Sequence, residues 1–449
     1  MYLESLNESI VHCRNIIWGW PLLASFLVVG FAATIFLYFV QIRYFFTSWK
    51  MVFTPSKEEM KKSKNDISPF QAFLNALATG TGNGSIAGIG CAMYAGGPGA
   101  AFWMLIAGAV GMALRFCEVF LSTHFIGKHK LGKAEGGPIV FLNLLPGRAF
   151  LPYVFAVFML FYGLTSGNAM QVNSIGFGLQ HILGIDKLYI AVALLVFIVY
   201  VILGGAERVL KISDWLTPFK VGLFIVAAFF LLLYHYAAIW PSLVLICTSA
   251  FSTKAIAGGA MGVTIQEMIR IGTARSVNSH EAGLGIAGIL FGSSGSKQPV
   301  ADSILSMLSV FISNFIVCFG VALSIVASGV WDSGYTGVVL TSAAFDTLYG
   351  VYGAWIVTLV SVSFGLGVLV AFVFITAEIW EFLTGGRARW LFGVIYCAVT
   401  FFGTQATIDI IWNTNDLVNG SLLLMNLYAI AWFMPLIKRE LLKYMLKNK

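Results

Sequence analysis

Long apolar runs, separated by short polar and basic stretches, fill the chain from Trp18 almost to its end. A helix of about 20 apolar residues crosses a bilayer. Eleven segments read as such spans, at 18–45, 68–94, 99–126, 150–178, 186–203, 214–236, 253–272, 300–328, 350–383, 389–410 and 420–437. The first run, Trp18 to Val40, is too long for the core of a signal peptide and reads as a retained helix. Two spans are interrupted by glycine. Span 2 carries glycine at 80, 82, 84, 88 and 90, interleaved with Thr79, Thr81, Asn83 and Ser85, and Gly96, Gly97 and Gly99 follow it. Span 7 carries Gly258, Gly259 and Gly262 at its centre. Each glycine inside a helix costs about 1 kcal/mol relative to alanine, so these clusters weaken the helices that hold them.

Spans 2 and 7 run in opposite directions. Taken as two sets of five, spans 2–6 and 7–11 each open with a glycine-interrupted helix, the sequence pattern of an inverted-repeat transporter. Unwinding a helix at mid-membrane frees backbone N–H and C=O groups, tolerated only where they face protein or a polar cavity. Half-helix N-termini suit a carboxylate and freed carbonyls suit a cation. Gly80, Gly82 and Gly84 permit the break, and Thr81, Asn83 and Ser85 add donors and acceptors beside it. Close packing through small residues spaced by four accounts for Gly84 and Gly88 but not for Asn83 at that depth.

Composition agrees. The 449 residues are 59% hydrophobic and 10% charged, against about 25% charged in a soluble domain. The chain therefore reads as a polytopic membrane protein without a separate soluble domain. Of its 27 Lys and Arg, 23 sort to one side of the eleven spans, among them Arg208, Lys211 and Lys220 after span 5 and Arg270, Arg275 and Lys297 after span 7. Arg14, Lys187 and Lys254 fall on the other side, and Arg115 lies inside span 3. The positive-inside rule then puts the N-terminus outside and the C-terminus in the cytoplasm. The net charge of +7 is thus a topology signal, not a nucleic-acid footprint. The six cysteines are scattered singly, without metal-ligand spacing, and read as small buried side chains.

Several motifs resemble those of the alanine/glycine:cation symporter family, also called sodium:alanine symporters. GTGN at 80–83 and GGPGAAFW at 96–103 match its span 2 pattern. GGPIV at 136–140, GNAMQVNSI at 167–175, RSVNSHEAGLGI at 275–286 and WNTNDLVNG at 412–420 resemble further family motifs, and the likeness runs from about residue 17 to 435. The resemblance implies an all-α, LeuT-like fold of 5+5 inverted repeats with one extra N-terminal helix. Residues 1–66 would hold that helix and a cytoplasmic loop, 67–252 the first repeat, and 253–449 the second repeat and tail. It implies uptake of a small neutral amino acid, alanine or glycine, with Na+ as coupling ion and no other cofactor, in the cell membrane. It also implies substrate contacts at Gly80, Thr81, Gly82, Asn83, Ser85, Gln171, Phe177, Gly258, Gly259, Gly262 and Phe372. Cation contacts are implied at Thr79, Gly80, Phe364 and Gly367.

Two departures stand out. Between GTGN and GGPG the chain has two extra residues, so either Asn83 or Ser85 takes the place of the family's asparagine. In span 9 the family's F-x-F-[ST]-T, whose hydroxyls help to bind sodium, is FGLGV at 364–368, which puts Gly367 and Val368 at the hydroxyl positions. Substrate class therefore carries over better than the coupling ion, and H+ stands as the alternative to Na+.

Other polar residues fall inside spans. Arg115 and Glu118, at i and i+3, share a face and read as a structural ion pair. Gln171 reads as substrate-facing, and Asn173, on a different face, as a bond to a neighbouring helix. Glu267 pairs with Arg270 or serves as a proton-coupling group. His280 and Glu281 read as the start of an inner-gate element. No nucleophile–base motif, metal-ligand spacing or Walker A sequence is present, so an enzyme or ATP-driven pump ranks below a secondary transporter. A channel or sensor that binds amino acid without coupled transport is the competing class.

Overall fold

The computed structural model describes residues 2–57, 59–60, 67–129, 131–132, 134–252, 264–406 and 408–447, without the side chains of 2–7 and 408–410. Apart from one bridge between Leu131 and Ala134, the described residues form helices and turns. The chain opens with α1 (Tyr2–Ile17), α2 (Trp20–Phe36) and two short helices, α3 (Val40–Arg43) and α4 (Phe45–Phe53). The next group is α5 (Pro69–Gly80), α6 (Ala87–His124), the short α7 (Pro138–Leu142), α8 (Leu151–Leu164) and α9 (Met170–Leu183). It continues with α10 (Lys187–Tyr234) and α11 (Tyr236–Ser249). The last group is α12 (Ile265–His280), α13 (Ile286–Gly292), α14 (Pro299–Val310), α15 (Phe319–Ala327), α16 (Gly337–Tyr349), α17 (Tyr352–Thr384), α18 (Arg389–Gln405) and α19 (Ile408–Lys447).

Seven helical runs of the described residues are long and apolar enough to cross a membrane. Two of them, 42 residues ending at His124 and 48 residues over Lys187–Tyr234, would extend about 60 and 70 Å at 1.5 Å per residue, twice a hydrocarbon core of about 30 Å. Each is two helices joined end to end. Gly97 (φ 62), just before Pro98, leaves the helix in α6, and Gly205 (φ 60) does so in α10. These turns separate the segments expected as spans 2 and 3 and as spans 5 and 6. Pairs α8–α9 and α14–α15 run through π-helical turns at Thr165–Ala169 and Phe311–Cys318.

Burial orders the bundle. In its most apolar window, the run through α6 is 83% buried and α17 is 78% buried, so these two form the centre. The corresponding window of α10 is only 28% buried, which places most of that helix at the periphery. Helices α12 and α14 pack mainly on α6, α10 mainly on α17 and α18, and α1 on α19.

Only the later part of the expected span 7 lies among the described residues, and its helix begins late. Residues 253–263, with Gly258, Gly259 and Gly262, lie outside the described residues. Helix α12 starts only at Ile265, where the Thr264 hydroxyl accepts from the Glu267 amide at 3.2 Å, and the helical stretch runs on to Gly292 through a break at 281–285. This shift also corrects the charge sorting. Arg270 donates to Asn15 (3.2 Å) beside Arg14, which donates to Asn413 (2.6 Å). Arg275 pairs with Asp416, whose backbone carbonyl accepts from Trp18. Arg270 and Arg275 therefore share the end of the molecule that carries Arg14.

Candidate functional site

Two breaks in two helices face each other at the centre of the bundle. The first follows α5. That helix is started firmly, with Pro69 in its first turn and a reciprocal cap between Ser68 and Gln71. It stops at Gly80: Thr81 (φ −120, ψ 65) leaves the helix, Gly82 (φ −106, ψ −169) is extended, and a tight turn over Asn83–Ser85 leads into α6. Thr81, Asn83 and Ser85 are fully buried, so each freed backbone group needs a protein partner. The Asn83 amide donates to Gln171 Oε1 at 3.0 Å, and the Gly80 carbonyl accepts from Ser279 Oγ at 3.3 Å. The Asn83 side chain accepts from Ser361 Oγ at 2.6 Å. Gly82 has no room for a side chain: a Cβ there would lie 2.7 Å from Val368 Cγ2 and 3.2 Å from Gln171 Oε1.

The second break is Glu281–Gly285, between α12 and α13. Glu281 (φ 56), Gly283 (φ 85) and Gly285 (φ 92) all lie in the left-handed region, which glycine enters freely and glutamate does not. Two buried charges on α6 hold it. Arg115 donates to the carbonyl of His280, at the C-terminal end of α12. Glu118 accepts from the amides of Gly283 (2.8 Å) and Gly288 (2.9 Å), at the start of α13. A cation thus meets a helix C-terminus and an anion a helix N-terminus, matching both half-helix dipoles. Arg115 and Glu118 do share a face, 3.6 Å apart, but their work is to clamp the broken helix. The SHEAGLG segment is therefore a buried break inside the bundle; Ser279, His280 and Glu281 are each at most 2% exposed.

The first break touches the last turn of α12, which leads into the second. Ser85 Oγ lies 2.5 Å from Ser279 Oγ, which is also 2.8 Å from Cys318 Sγ. Tyr162 donates to Glu281 Oε1 at 3.2 Å. A layer of buried asparagines adjoins them: Asn415 donates to Asn278 at 2.7 Å, and Asn278 Nδ2 would be 3.2 Å from a Cβ at Gly84.

Where the expected cation contacts converge, the structure places a lysine. Lys220, on α10 and fully buried, donates from Nζ to the carbonyls of Ala78 (2.8 Å), Thr81 (2.8 Å) and Phe364 (3.4 Å). Gly367 faces the same point: a Cβ there would lie 2.7 Å from Lys220 Nζ. Lys220 does not belong to a basic loop. Its signal in the sequence was a lone lysine inside the apolar span 214–236, and an ionisable residue in a membrane span is a functional candidate by default.

Of the residues singled out from sequence, Thr79, Gly80, Thr81, Gly82, Asn83, Ser85, Gln171, Phe364 and Gly367 gather around the first break. Gln171 Nε2 donates to the Ser166 carbonyl (2.8 Å), freed by the π-turn before α9. Phe372 packs one layer away, on Gly167 and Tyr162. Phe177 is not brought to the site: it lies nearly two turns beyond Gln171 with its ring under Lys187, 3.1 Å from the ammonium. Asn173 bonds the carbonyls of Gly403 and Ala406 on the neighbouring chain segment. Glu267 is half-exposed and paired with Arg270, away from the breaks.

The chain matches the model of the sodium:alanine symporter family over residues 3–449. It is 32% identical to the sodium/alanine symporter AgcS of Methanococcus maripaludis, over 94% of this chain and 94% of that one. An uncharacterized transporter of Haemophilus influenzae is 31% identical over 100% of this chain and 98% of its own. The probable sodium/glutamine symporter GlnT of Bacillus subtilis is 27% identical over 100% and 92%. Among solved structures, a manganese transporter of Eremococcus coleocola overlays with a TM-score of 0.45 at 14% identity, covering 78% of this chain and 76% of that one. With its whole length matched and its apolar helices packed around two buried breaks, this chain belongs to the sodium:alanine symporter family of multi-pass membrane transporters.

Proposed function

We propose that the chain is a secondary transporter that binds a small neutral amino acid, alanine or glycine, between the two breaks and carries it across the membrane in symport with a cation. The observation that carries this reading is the contact of the first unwound segment with the end of α12, at the entry to the second, through Ser85, Ser279 and the Gly80 carbonyl. Buried, irregular backbone from two helices offers both charges of a zwitterion a partner. Amides and the Thr81 hydroxyl at the first break suit the carboxylate; carbonyls at the second break, with Gln171, suit the ammonium. Val368 and Gln171 close on Gly82 so tightly that even a Cβ there would clash, which suits a small substrate at the first break. In this reading residues 67–252 and 253–449 are inverted repeats of a LeuT-like fold, with residues 1–66 in front. The N-terminus is outside and the C-terminus cytoplasmic, in the cell membrane. Rocking of one repeat against the other opens the shared site to each side in turn.

Counterflow tests the carrier without presupposing the driving ion. Proteoliposomes loaded with unlabelled alanine, then diluted into labelled alanine, should take label above its equilibrium level, and external glycine should compete. A channel equilibrates label without overshoot, and a sensor moves none; either result overturns the proposal.

A further inference from the structure

We infer that the Lys220 ammonium is this chain's resident cation. It sits where a coupling Na+ would be held, and the proton it gains and loses is the ion that drives transport. This rests on the carrier reading above and names its cation.

The geometry is that of an ion site already filled. An ammonium has three N–H donors, and three backbone carbonyls from two helices converge on Nζ: Ala78 and Thr81 from the end of α5, and Phe364 from α17. A sodium ion in such a transporter draws on the same kind of freed carbonyl, with side-chain hydroxyls to complete its shell. Here neither hydroxyl position carries oxygen. Gly367 is bare because Nζ occupies the space its Cβ would need, at 2.7 Å, and Val368 is apolar. The missing hydroxyls and the lysine are one exchange: a fixed positive charge in place of a bound one.

No carboxylate touches Lys220 among the described residues, and Glu281, at the second break, accepts from Tyr162. Helix α5 contributes no titratable side chain. On α17, Glu378 and Glu381 lie at least eleven residues beyond Gly367, about 16 Å along the helix. On α10 itself, Asp214 accepts from Gln71. On the other packed elements, Tyr396 of α18 donates to the Leu369 carbonyl, and His181 of α9 is exposed. Cys318 of the π-turn meets Ser279, and Tyr349 of α16 donates to Ala227.

A protonated Lys220 can bind all three carbonyls and ties α5 to α17. A neutral amine keeps two N–H donors, so one carbonyl is released and the tie loosens. Taking a proton from the outer medium and releasing it to the inner one would therefore alternate the grip on the first break, with no other species consumed.

The test uses the full chain in proteoliposomes and in detergent. Labelled alanine should accumulate under an inward H+ gradient in sodium-free choline medium, and an inward Na+ gradient at equal pH should add nothing. Accumulation that requires Na+, or counterflow without accumulation under the H+ gradient, overturns the inference. In detergent, exchanging choline chloride for NaCl at constant ionic strength should leave the melting temperature unchanged. A saturable, Na+-specific rise overturns the inference whatever the substrate proves to be. Lys220→Met should lose at least tenfold of the H+-driven accumulation; full retention overturns the proton's role. Lys220→Ala with Gly367→Ser and Val368→Ser should gain the Na+-specific rise in melting temperature that the natural chain lacks, and a triple variant that folds without gaining it counts against the exchange. A failure of alanine counterflow in the natural chain would fall on the carrier reading, leaving the Na+ titration to judge the lysine.

Discussion

Glu118 is the side chain on which the second break depends most. Glu118→Ala removes two charge-assisted hydrogen bonds, to the amides of Gly283 and Gly288, each worth about 1.5–3 kcal/mol. It also leaves Arg115, 1% exposed, without its counter-ion, and breaking a buried pair by removing one partner costs about 3–5 kcal/mol. These losses overlap because all pass through one carboxylate, so the expected destabilisation is about 4–6 kcal/mol. That is a large share of the roughly 5–15 kcal/mol that holds a folded domain together. Glu118→Gln keeps the shape and one carbonyl acceptor but turns an N–H2 toward the second amide, and should cost about 2–3 kcal/mol. Thermal unfolding of the purified protein in detergent should therefore rank natural chain, Gln variant and Ala variant in falling order. Alanine counterflow should fall in the same order at a temperature where all three remain folded. In an Arg115→Met background, Glu118→Gln should cost at least about 1 kcal/mol less, because the charge pair is already gone. An Ala variant that melts with the natural chain would refute the clamp.

Two further substitutions probe the first break. Gln171→Ala removes the acceptor for the Asn83 amide and the donor to the Ser166 carbonyl; it should weaken alanine uptake at least tenfold while the purified protein keeps its helical signal, and normal uptake kinetics would take Gln171 out of the site. Gly82→Ala forces a Cβ to within 2.7 Å of Val368 Cγ2; it should abolish counterflow, and adding Val368→Ala should restore part of it, whereas an active single variant would show that Gly82 is not tightly enclosed.

How much was legible in the sequence follows from where the information sits. The first break was readable because its cause is local: GTGNGS cannot continue a helix cheaply, and the structure unwinds there. Glycine density points to Gly258–Gly262, which lie outside the described residues, whereas the described break is EAGLG, with two glycines and a glutamate. Its conformation is held from outside the segment, by Arg115 and Glu118 on α6, and spacing along the chain does not reveal such partners. The i, i+3 relation of those two residues was visible; their targets were not. Position between spans groups Lys220 with the basic loop residues Arg208 and Lys211. Its depth became apparent only when α10, turning at Gly205, laid the lysine against the carbonyls of α5 and α17. The departure at Gly367 and Val368 was plain in the sequence, and its cause lay about 150 residues earlier, across a contact that one sequence alone does not encode.

The most direct measurement joins the two breaks covalently. In a Cys318→Ala background, which removes the thiol beside Ser279, Ser85→Cys and Ser279→Cys place two thiols where the hydroxyls now lie 2.5 Å apart. A membrane-permeant oxidant should form the disulfide, stop alanine counterflow in proteoliposomes, and allow its return on reduction. Thiols that do not cross-link, or a cross-linked protein that carries alanine at the unoxidised rate, would contradict a transport site built from paired breaks.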